Sequence, residues 1–387
     1  MRRFAVAFLL ALAAAVGLPA AAADPVDVAA LGRFLHPPLG LPPVPVSVGN
    51  PVTVEKISLG RKIFFDRRLS INGTLSCAMC HVPEQGYTQH ELATPVGIEG
   101  RSIRRNAPTI VNAAFEEALF RDGRVGSLEE QALIPLVDPD EMGNPSLDAL
   151  IARLRTLPDY EGLFERAFGR PADADGLAKA VASWQRTMVA GDAPFDRWHF
   201  GKDETATTAA AKRGFGLFAG KAGCVACHAI RETHALFTDH GYRNTGVGAA
   251  ADRSRSEGVR VEIAPETFTT LDWRTVASVS EPAKADVGRM EVTKDEADRL
   301  AYKTPSLRNV ALTAPYMHDG SLGTLADVVR FYNRGGNPNP RLDPRIRPLG
   351  LTEAEIADVV AFLESLTSDG FQALVRVDTA LRERSRY

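Results

Sequence analysis

Cysteine is scarce in this sequence, with four among 387 residues, which excludes a disulfide-rich scaffold. An excess of charge is also lacking, because 45 lysine and arginine residues nearly balance 48 aspartate and glutamate residues. The chain therefore has no general electrostatic attraction for nucleic acid. Its 45% hydrophobic and 24% charged residues are typical of a globular protein, and its length allows two domains.

Long apolar runs are missing except near the N-terminus, which has the pattern of a cleavable export signal. Two arginines precede an apolar stretch at residues 4–18, and small residues follow before Asp24. The alternative is an uncleaved membrane anchor, but this stretch is shorter than the roughly 20 residues that a bilayer requires. We predict that residues 1–23 are a signal peptide and that the mature protein is exported without a membrane span.

The four cysteines lie in two copies of the same C-x-x-C-H pattern: Cys77, Cys80 and His81, then Cys224, Cys227 and His228. Two cysteines one helical turn apart can each bond to a vinyl group of one porphyrin, and the histidine that follows can ligate its iron. The alternatives are a redox dithiol or a zinc site. Neither requires a histidine after both pairs, so the sequence predicts two covalently attached c-type haems.

The spacing of apolar residues predicts a mainly α-helical protein. A proline-rich stretch at 24–54 predicts an extended arm, and a polar stretch at 249–284 predicts a long surface loop. A capping box at 352–355 begins what we expect to be the final helix. The other helices are expected at about 54–65, 127–137, 146–156, 159–168, 175–190 and 205–220.

A helix leads into each cysteine motif, so the chain has the outline of an internal duplication. We expect two cytochrome c-like domains, 55–200 and 201–387, each with one covalently attached haem.

Longer stretches around both motifs resemble the bacterial dihaem cytochrome c peroxidases and their relative MauG. The matching segments are 59–66, 105–109, 122–124, 304–309 and 312–320. The resemblance implies that peroxide reacts at the N-terminal haem and that the C-terminal haem passes electrons to it. It also implies that His81 and His228 are axial ligands of the two irons.

Two further residues match catalytic positions of this family. Gln131 and Glu141 correspond to the pair beside the face of the iron where peroxide binds. Unequal cleavage of the O–O bond requires a proton to move from the inner to the outer peroxide oxygen. A carboxylate can carry that proton, and an amide can orient the peroxide. Without the resemblance, both would be ordinary residues of a helix surface.

The first departure from the peroxidases concerns the N-terminal iron. Those enzymes commonly close it with a distal histidine, and Ile98 stands at the matching position here. Isoleucine cannot ligate iron. His90 is nearby but does not align, and we expect it to be a surface histidine. The resemblance then implies an N-terminal haem that is open without reductive activation, as in MauG.

The second departure concerns the C-terminal iron, where the peroxidases use a methionine as the second axial ligand. Tyr332 occupies the aligned position, as a tyrosine does in MauG. A phenolate stabilises the higher oxidation states of iron, whereas a thioether favours the ferrous form. The alternative is that Tyr332 is a core residue and that Met317 or Met290 is the ligand.

The third departure concerns the route of charge. The family usually has a tryptophan between the haems where this chain has Arg121, and arginine cannot be oxidised. MauG also has a surface tryptophan where this chain has Ala222, through which it oxidises its protein substrate. Each tryptophan of this chain is expected to be structural: Trp184, Trp198 and Trp273.

The family also holds a calcium ion between its haems. The positions that match its ligands are Asn106, Thr313 and Pro315, which supply one side-chain oxygen and two backbone carbonyls. Oxygen donors are those that Ca²⁺ prefers. The resemblance therefore implies one possible calcium ion in addition to the two haems.

Three functions remain open. The first is a periplasmic peroxidase that reduces hydrogen peroxide through a high-valent iron state, with electrons from a small redox protein such as a c-type cytochrome. The second is a MauG-like oxidase that modifies side chains of a partner protein. The third is a plain dihaem electron carrier, which would leave Gln131 and Glu141 without a purpose.

Overall fold

The computed structural model describes residues 24–252, 259–271 and 286–384; the predicted signal peptide and Trp273 lie outside these ranges. In the described residues the protein is mainly helical, and none of these helices has the length and hydrophobicity to cross a membrane. The helices of the N-terminal half are α1 Pro25–Leu35, α2 Val54–Phe65, α3 Cys77–Cys80, α4 Leu128–Val137, α5 Leu147–Leu154, α6 Leu163–Phe168, α7 Ala174–Arg186 and α8 Pro194–His199. Those of the C-terminal half are α9 Ala209–Ala219, α10 Met290–Thr293, α11 Leu325–Asn333, α12 Glu353–Glu364 and α13 Asp369–Arg384.

The four strands of the described ranges are short and pair as two antiparallel ribbons. They are β1 Tyr242–Arg243 with β4 Tyr302–Lys303, and β2 Val259–Ala264 with β3 Thr267–Leu271. The second ribbon lies in the stretch 249–284, so the prediction of a loop throughout that stretch is wrong for this hairpin. Residues that favour strands occur in each of its arms, valine and isoleucine in β2 and threonine and phenylalanine in β3.

Most predicted helices are confirmed, and their ends have local causes. Helix α2 has the predicted bounds, and the Thr53 side chain caps its first turn. Helix α7 ends at Arg186 rather than at the predicted residue 190, and Thr187 caps its last turn. In the predicted helix at 159–168, Gly162 adopts a left-handed conformation (φ 71°) and separates a short 3-10 turn from α6.

The N-terminal arm is helical over its first third, so the prediction of an extended chain over 24–54 is wrong there. The Asp24 side chain accepts a hydrogen bond from the Val26 backbone N–H (2.9 Å). Pro25 occupies the first helical position, where its missing N–H costs nothing. Ala30 and Phe34 then bury one face of α1. From residue 36 to 53 the backbone contains no helix or strand.

Each half contains a close crossing of two helices at a glycine. In the N-terminal half, Gly60 of α2 lies against the Ala180 carbonyl of α7, where a Cβ atom would collide. In the C-terminal half, Gly214 of α9 lies in the same way against the Asp358 carbonyl of α12. One turn later, an aromatic pair closes each crossing: Phe64 with Trp184 (4.4 Å between ring centroids) and Phe218 with Phe362 (4.8 Å). The structure thus repeats the same helix pair, as two cytochrome c-like domains require.

The apolar core of each half includes a helix from the other side of the predicted boundary at residue 200. Helix α8 contributes Phe195 to the C-terminal core. Helix α13, which follows the helix that was expected to be the last, contributes Phe371 to the N-terminal core. There the buried Asp378 accepts a hydrogen bond from the Tyr87 hydroxyl (2.7 Å). The two domains are therefore interlocked, and their exact limits stay a prediction.

The helix crossing predicts opposite effects for two glycines of α9. Gly214→Ala should lower the free energy of unfolding by about 1–3 kcal/mol, because the new methyl group overpacks the contact with Asp358. Gly216 is exposed and has no atom near its Cβ position. Gly216→Ala should therefore be neutral or stabilise by up to about 1 kcal/mol. Denaturant unfolding of the holoproteins checks both, and equal effects at the two positions would contradict the assigned contact.

Candidate active site

The first cysteine motif forms a tight helical turn whose histidine is held by the backbone. Cys77 and Cys80 lie on the single turn of α3, and His81 follows as its C-cap. The Nδ1 atom of His81 lies 3.2 Å from the Tyr87 carbonyl oxygen. A proton on Nδ1 that is donated to this carbonyl leaves Nε2 as the free nitrogen for a metal. The Phe64 ring, 6.3 Å from the imidazole, supports it from α2.

The second cysteine motif repeats this arrangement. The Nδ1 atom of His228 lies 2.8 Å from the Phe237 carbonyl oxygen, and the Phe218 ring of α9 lies 6.3 Å from the imidazole. Burial lowers the pKa of His228, and it lowers the pKa of His81 as well. Both imidazoles are therefore neutral, which is the form that binds iron.

The alternatives for the cysteines are disfavoured by their surroundings. Burial raises the pKa of Cys77, Cys80 and Cys224 to about 12, whereas a redox dithiol needs a thiol whose pKa is lowered. Across the described ranges, no three histidine, cysteine or acidic side chains converge as a metal site would require, so the two cysteine pairs do not form a zinc site.

A single cavity of about 590 Å³ runs from one motif to the other. It is lined by Cys80 and His81 at one end and by Cys224, Cys227 and His228 at the other. Nine arginine or lysine residues and four acidic residues also line it. This excess of positive charge suits the propionate carboxylates of two porphyrins, and the apolar remainder suits their rings. The residues present therefore fit two covalently bound haems.

The predicted catalytic pair lies beside the first motif. Gln131 is in the first half of α4, whose start is capped by the Ser127 side chain, and Glu141 follows in the loop after α4. Both line the same cavity as Cys80 and His81. The Glu141 backbone is fixed because its N–H donates to the Asp138 carbonyl (3.1 Å) and its carbonyl accepts from Ile98 (2.9 Å).

The environment of Glu141 shifts the pKa of its carboxyl to near neutral pH, where it can both accept and donate a proton. Burial raises the pKa of Glu141 to about 7, and the negative charges of Asp138 and Asp140 act in the same direction. The positive charge of Arg124 opposes them. A buried carboxyl with this pKa, directed into a cavity, is typical of a general acid–base catalyst.

The side chain at the expected distal-histidine position does not enter the cavity. Ile98 is buried, and its side chain lies against Gly143, outside the residues that line the cavity. His90 is exposed, and its Nε2 atom lies 3.0 Å from the Leu312 carbonyl oxygen. The structure thus places His90 at the surface, as expected, and neither residue lines the cavity.

At the second site, the structure brings Tyr332 of α11 into the cavity beside the cysteines. Burial raises the pKa of Tyr332, and it lies close enough to Cys224 and Cys227 to be influenced by them. Of the two alternative ligands, Met317 also lines the cavity. Met290 does not, and its sulfur lies 3.7 Å from an Arg299 nitrogen. Tyr332 as an axial ligand stays a proposal.

The three residues predicted for calcium all line the cavity: Asn106, Thr313 and Pro315. However, the Asn106 side-chain oxygen already accepts a hydrogen bond from Arg121 Nη2 (2.8 Å). Burial lowers the pKa of Arg121 to about 10, so its guanidinium remains protonated at neutral pH. The expected calcium ligand is therefore engaged by a cation of the protein itself.

The structure also reveals an aromatic stack that the sequence analysis missed. The Tyr302 and His318 rings lie parallel in the cavity wall, 3.6 Å apart, and the Arg105 guanidinium lies 5.5 Å from the Tyr302 ring. Burial lowers the pKa of His318 to about 4, so it is neutral at pH 7. The only signal in the sequence was the position of His318 in the matched segment 312–320.

In the described residues, the tryptophans lie away from position 222, which was matched to the surface tryptophan of MauG. Ala222, at its position, lines the cavity just before the second motif. Trp184 is buried against Phe64. Trp198 donates its Nε1–H to Glu204 (3.2 Å) outside the cavity.

Comparisons with known proteins agree with this arrangement. A family model described as "Di-haem cytochrome c peroxidase" matches residues 54–204. The methylamine utilization protein MauG of Methylorubrum extorquens is 41% identical over 346 residues, which cover 89% of this chain and 86% of that protein. A cytochrome-c peroxidase of Denitromonas iodatirespirans is 40% identical over 364 residues, 92% of each chain. The crystal structure of a MauG-like protein associated with microbial copper homeostasis superimposes with a TM-score of 0.68 at 31% identity, covering 87% of this chain and 96% of that chain.

These similarities extend over both halves of the chain. The protein belongs to the di-haem cytochrome c peroxidase family, which includes MauG. It carries two c-type haems and is a haem oxidoreductase that uses peroxide. The predicted fold class and the two predicted haems are confirmed.

The pKa of Glu141 predicts the pH dependence of the reaction with peroxide. A carboxyl must be ionised to accept a proton, so kcat/KM for peroxide should fall as the pH drops below about 7. Asp138→Asn removes a neighbouring negative charge and should move this limb to lower pH, by up to about one pH unit. A pH profile that is identical in the wild type and in Asp138→Asn would contradict the role of Glu141.

The proposed ligand at the second iron predicts a spectroscopic change. Tyr332→Phe should alter the low-temperature EPR spectrum of the oxidised holoprotein, since the phenol oxygen is lost. Tyr332→Met should raise the reduction potential of that haem, because a thioether favours the ferrous form. Tyr316→Phe is the matched control, as Tyr316 lines the same cavity and its hydroxyl bonds to the Val310 carbonyl (3.1 Å). Equal spectra for Tyr332→Phe and the wild type would show that another group is the ligand.

Proposed function

We propose that the protein is a periplasmic dihaem peroxidase that reduces hydrogen peroxide to water with electrons from a small redox protein such as a c-type cytochrome. The observation that carries this proposal is the position of Glu141 and Gln131. They line the cavity beside Cys80 and His81, and the carboxyl has a pKa of about 7. An electron carrier has no need for a proton-exchanging carboxyl at one of its haems.

The roles of the residues follow from the stoichiometry of the reaction. Hydrogen peroxide takes up two electrons and two protons and yields two molecules of water. The haem held by Cys77, Cys80 and His81 supplies, when bound, the iron at which the O–O bond is cleaved. The Glu141 carboxylate accepts the proton of the inner peroxide oxygen and returns it to the outer oxygen, which leaves as water. The Gln131 amide orients the peroxide by hydrogen bonds.

The second half of the cavity serves electron entry in this proposal. Cys224, Cys227 and His228 would hold the second haem, and the Tyr332 hydroxyl would supply its second axial ligand. The two motifs open on one cavity, so haems bound at both would share it, and the second could supply electrons to the first. The export signal predicted at residues 1–23 supports the periplasmic location, where c-type cytochromes are available as donors.

A MauG-like oxidase of a partner protein is the second candidate, and Tyr332 is the observation that favours it. A phenolate ligand stabilises a high oxidation state, which suits the slow oxidation of a protein. Ala222 argues against this reading, because its side chain cannot carry an oxidising equivalent toward a partner as the surface tryptophan of MauG does. The proposal of a peroxidase therefore takes precedence.

The two candidates differ in steady-state turnover. As a peroxidase, the holoprotein should oxidise reduced c-type cytochrome rapidly with hydrogen peroxide. It should cause no peroxide-dependent mass change in a protein encoded by a neighbouring gene. Slow cytochrome oxidation together with such a mass change would favour the oxidase instead.

Replacement of the catalytic carboxyl should abolish most of the peroxide reaction. Glu141→Gln should slow peroxide cleavage by roughly 10²- to 10⁴-fold, because the proton can no longer be transferred. Glu130→Gln is the matched control, since Glu130 is an exposed carboxylate of the same helical region. Stopped-flow mixing of each holoprotein with peroxide gives the rates. An unchanged rate in Glu141→Gln would remove this residue from the mechanism.

A further inference from the structure

The Arg121 guanidinium occupies a fixed position between the two halves. Its Nη2 atom donates to the Asn106 side-chain oxygen (2.8 Å), and its Nε atom donates to the Asn106 backbone oxygen (3.4 Å). The Arg121 carbonyl accepts a hydrogen bond from the backbone N–H of Lys303 in β4 (2.8 Å). The Arg121 guanidinium thus binds two oxygens of Asn106, and the Arg121 backbone is held by Lys303.

Asn106 connects several segments around this contact. Its backbone N–H donates to the His318 carbonyl (2.8 Å), and its side-chain nitrogen donates to the Ala93 carbonyl (3.1 Å). Asn106 is 2% exposed, so no water competes for its oxygen from the surface. Through His318 and Lys303, the Arg121–Asn106 pair therefore connects the N-terminal half to the C-terminal half. A calcium ion bound by oxygens of both halves would make the same connection.

The charges around Arg121 are balanced without a further cation. Arg105 pairs with Asp122 and Asp286 (2.7 Å each). Glu116 pairs with Lys303 (2.6 Å) and faces His240 (3.4 Å). Glu116 and Asp319 both attract the Arg121 guanidinium, and Arg105 repels it. A divalent ion added here would meet two guanidinium groups in a buried region, where like charges repel strongly.

We propose that the Arg121 guanidinium replaces the calcium ion expected at Asn106, Thr313 and Pro315. It supplies the positive charge at the Asn106 oxygen and excludes a divalent cation from that position. Calcium needs the Asn106 side-chain oxygen as a ligand, and the guanidinium holds that oxygen. The residues predicted for calcium therefore do not fit the ion in this chain. The inference is independent of whether the protein acts as a peroxidase or as an oxidase.

Calcium content of the wild-type holoprotein is the first test. Protein purified in calcium-containing buffer and then desalted should contain far less than one calcium ion per chain by elemental analysis. Treatment with EGTA, and later addition of CaCl₂, should leave the haem absorption spectrum unchanged. One tightly held calcium ion per chain, or a spectrum that responds to EGTA and recovers with CaCl₂, would overturn the proposal.

Variants of Arg121 provide the second test. Arg121→Ala removes the guanidinium and should increase bound calcium at least about tenfold, since the repulsion is lost and the Asn106 oxygen is released. Arg121→Lys keeps the positive charge and should bind no more calcium than the wild type. Arg289→Gln is the matched control, because it removes a nearby charge whose hydrogen bonds go to the Asp122 and Gly123 carbonyls and not to Asn106.

Isothermal titration with CaCl₂ distinguishes the outcomes. Calcium binding by Arg121→Ala that is lost again in Arg121→Ala with Asn106→Ala supports the proposal. Equal calcium binding by Arg121→Ala and Arg289→Gln would show that net charge, and not occupation of the Asn106 oxygen, controls the site, and would contradict it. If Arg121→Ala does not fold, Arg121→Lys and the wild-type measurement decide.

Discussion

The close crossing of two helices in each half determines where the haem-binding residues lie. At Gly60 and Gly214 the helices approach so closely that a side chain has no room. The crossing fixes the ends of α2 and α9, and therefore the phenylalanine that supports each histidine. Because protein interiors are densely packed, a displacement at either glycine would reach His81 or His228 within one helical turn.

Burial of charge is the second constraint, and it acts differently on the residues along the cavity. It raises the pKa of Glu141 to about 7, so this carboxyl can exchange a proton. Arg105 stays charged in the same region because two carboxylates pair with it. Arg121 stays charged with weaker compensation, from oxygens of Asn106 and from two acidic side chains at greater distance. The cavity thus combines one carboxyl that titrates near neutral pH with several permanent cations.

The sequence predicted those features that depend on short-range patterns. The C-x-x-C-H spacing identified both haem sites, and the apolar spacing located α2 to the residue. The prediction missed the helical first third of the arm because the many prolines indicated an extended chain, whereas Asp24 caps a helix there. The hairpin at 259–271 and the crossover of α13 were missed because they depend on pairing and burial between distant segments.

Within the site too, the sequence did not predict the features that depend on contacts formed only in the folded chain. Gln131 and Glu141 were found through matching segments, whereas the charges that tune Glu141 depend on how the loop at 138–141 folds back. The sequence alone showed that Arg121 stands where the family usually has an oxidisable tryptophan. Its hydrogen bond to Asn106 was not visible there, because fifteen residues separate the two and only the folded chain brings them together.

The crossover of α13 has a consequence for how the molecule is assembled. The Tyr87 carbonyl holds His81, and the Tyr87 hydroxyl donates in turn to Asp378 of α13. Synthesis delivers α13 after both cysteine motifs, so this side of the first haem pocket cannot close until residue 378 has been made. A gene fragment that ends before residue 369 would leave this pocket without its cover.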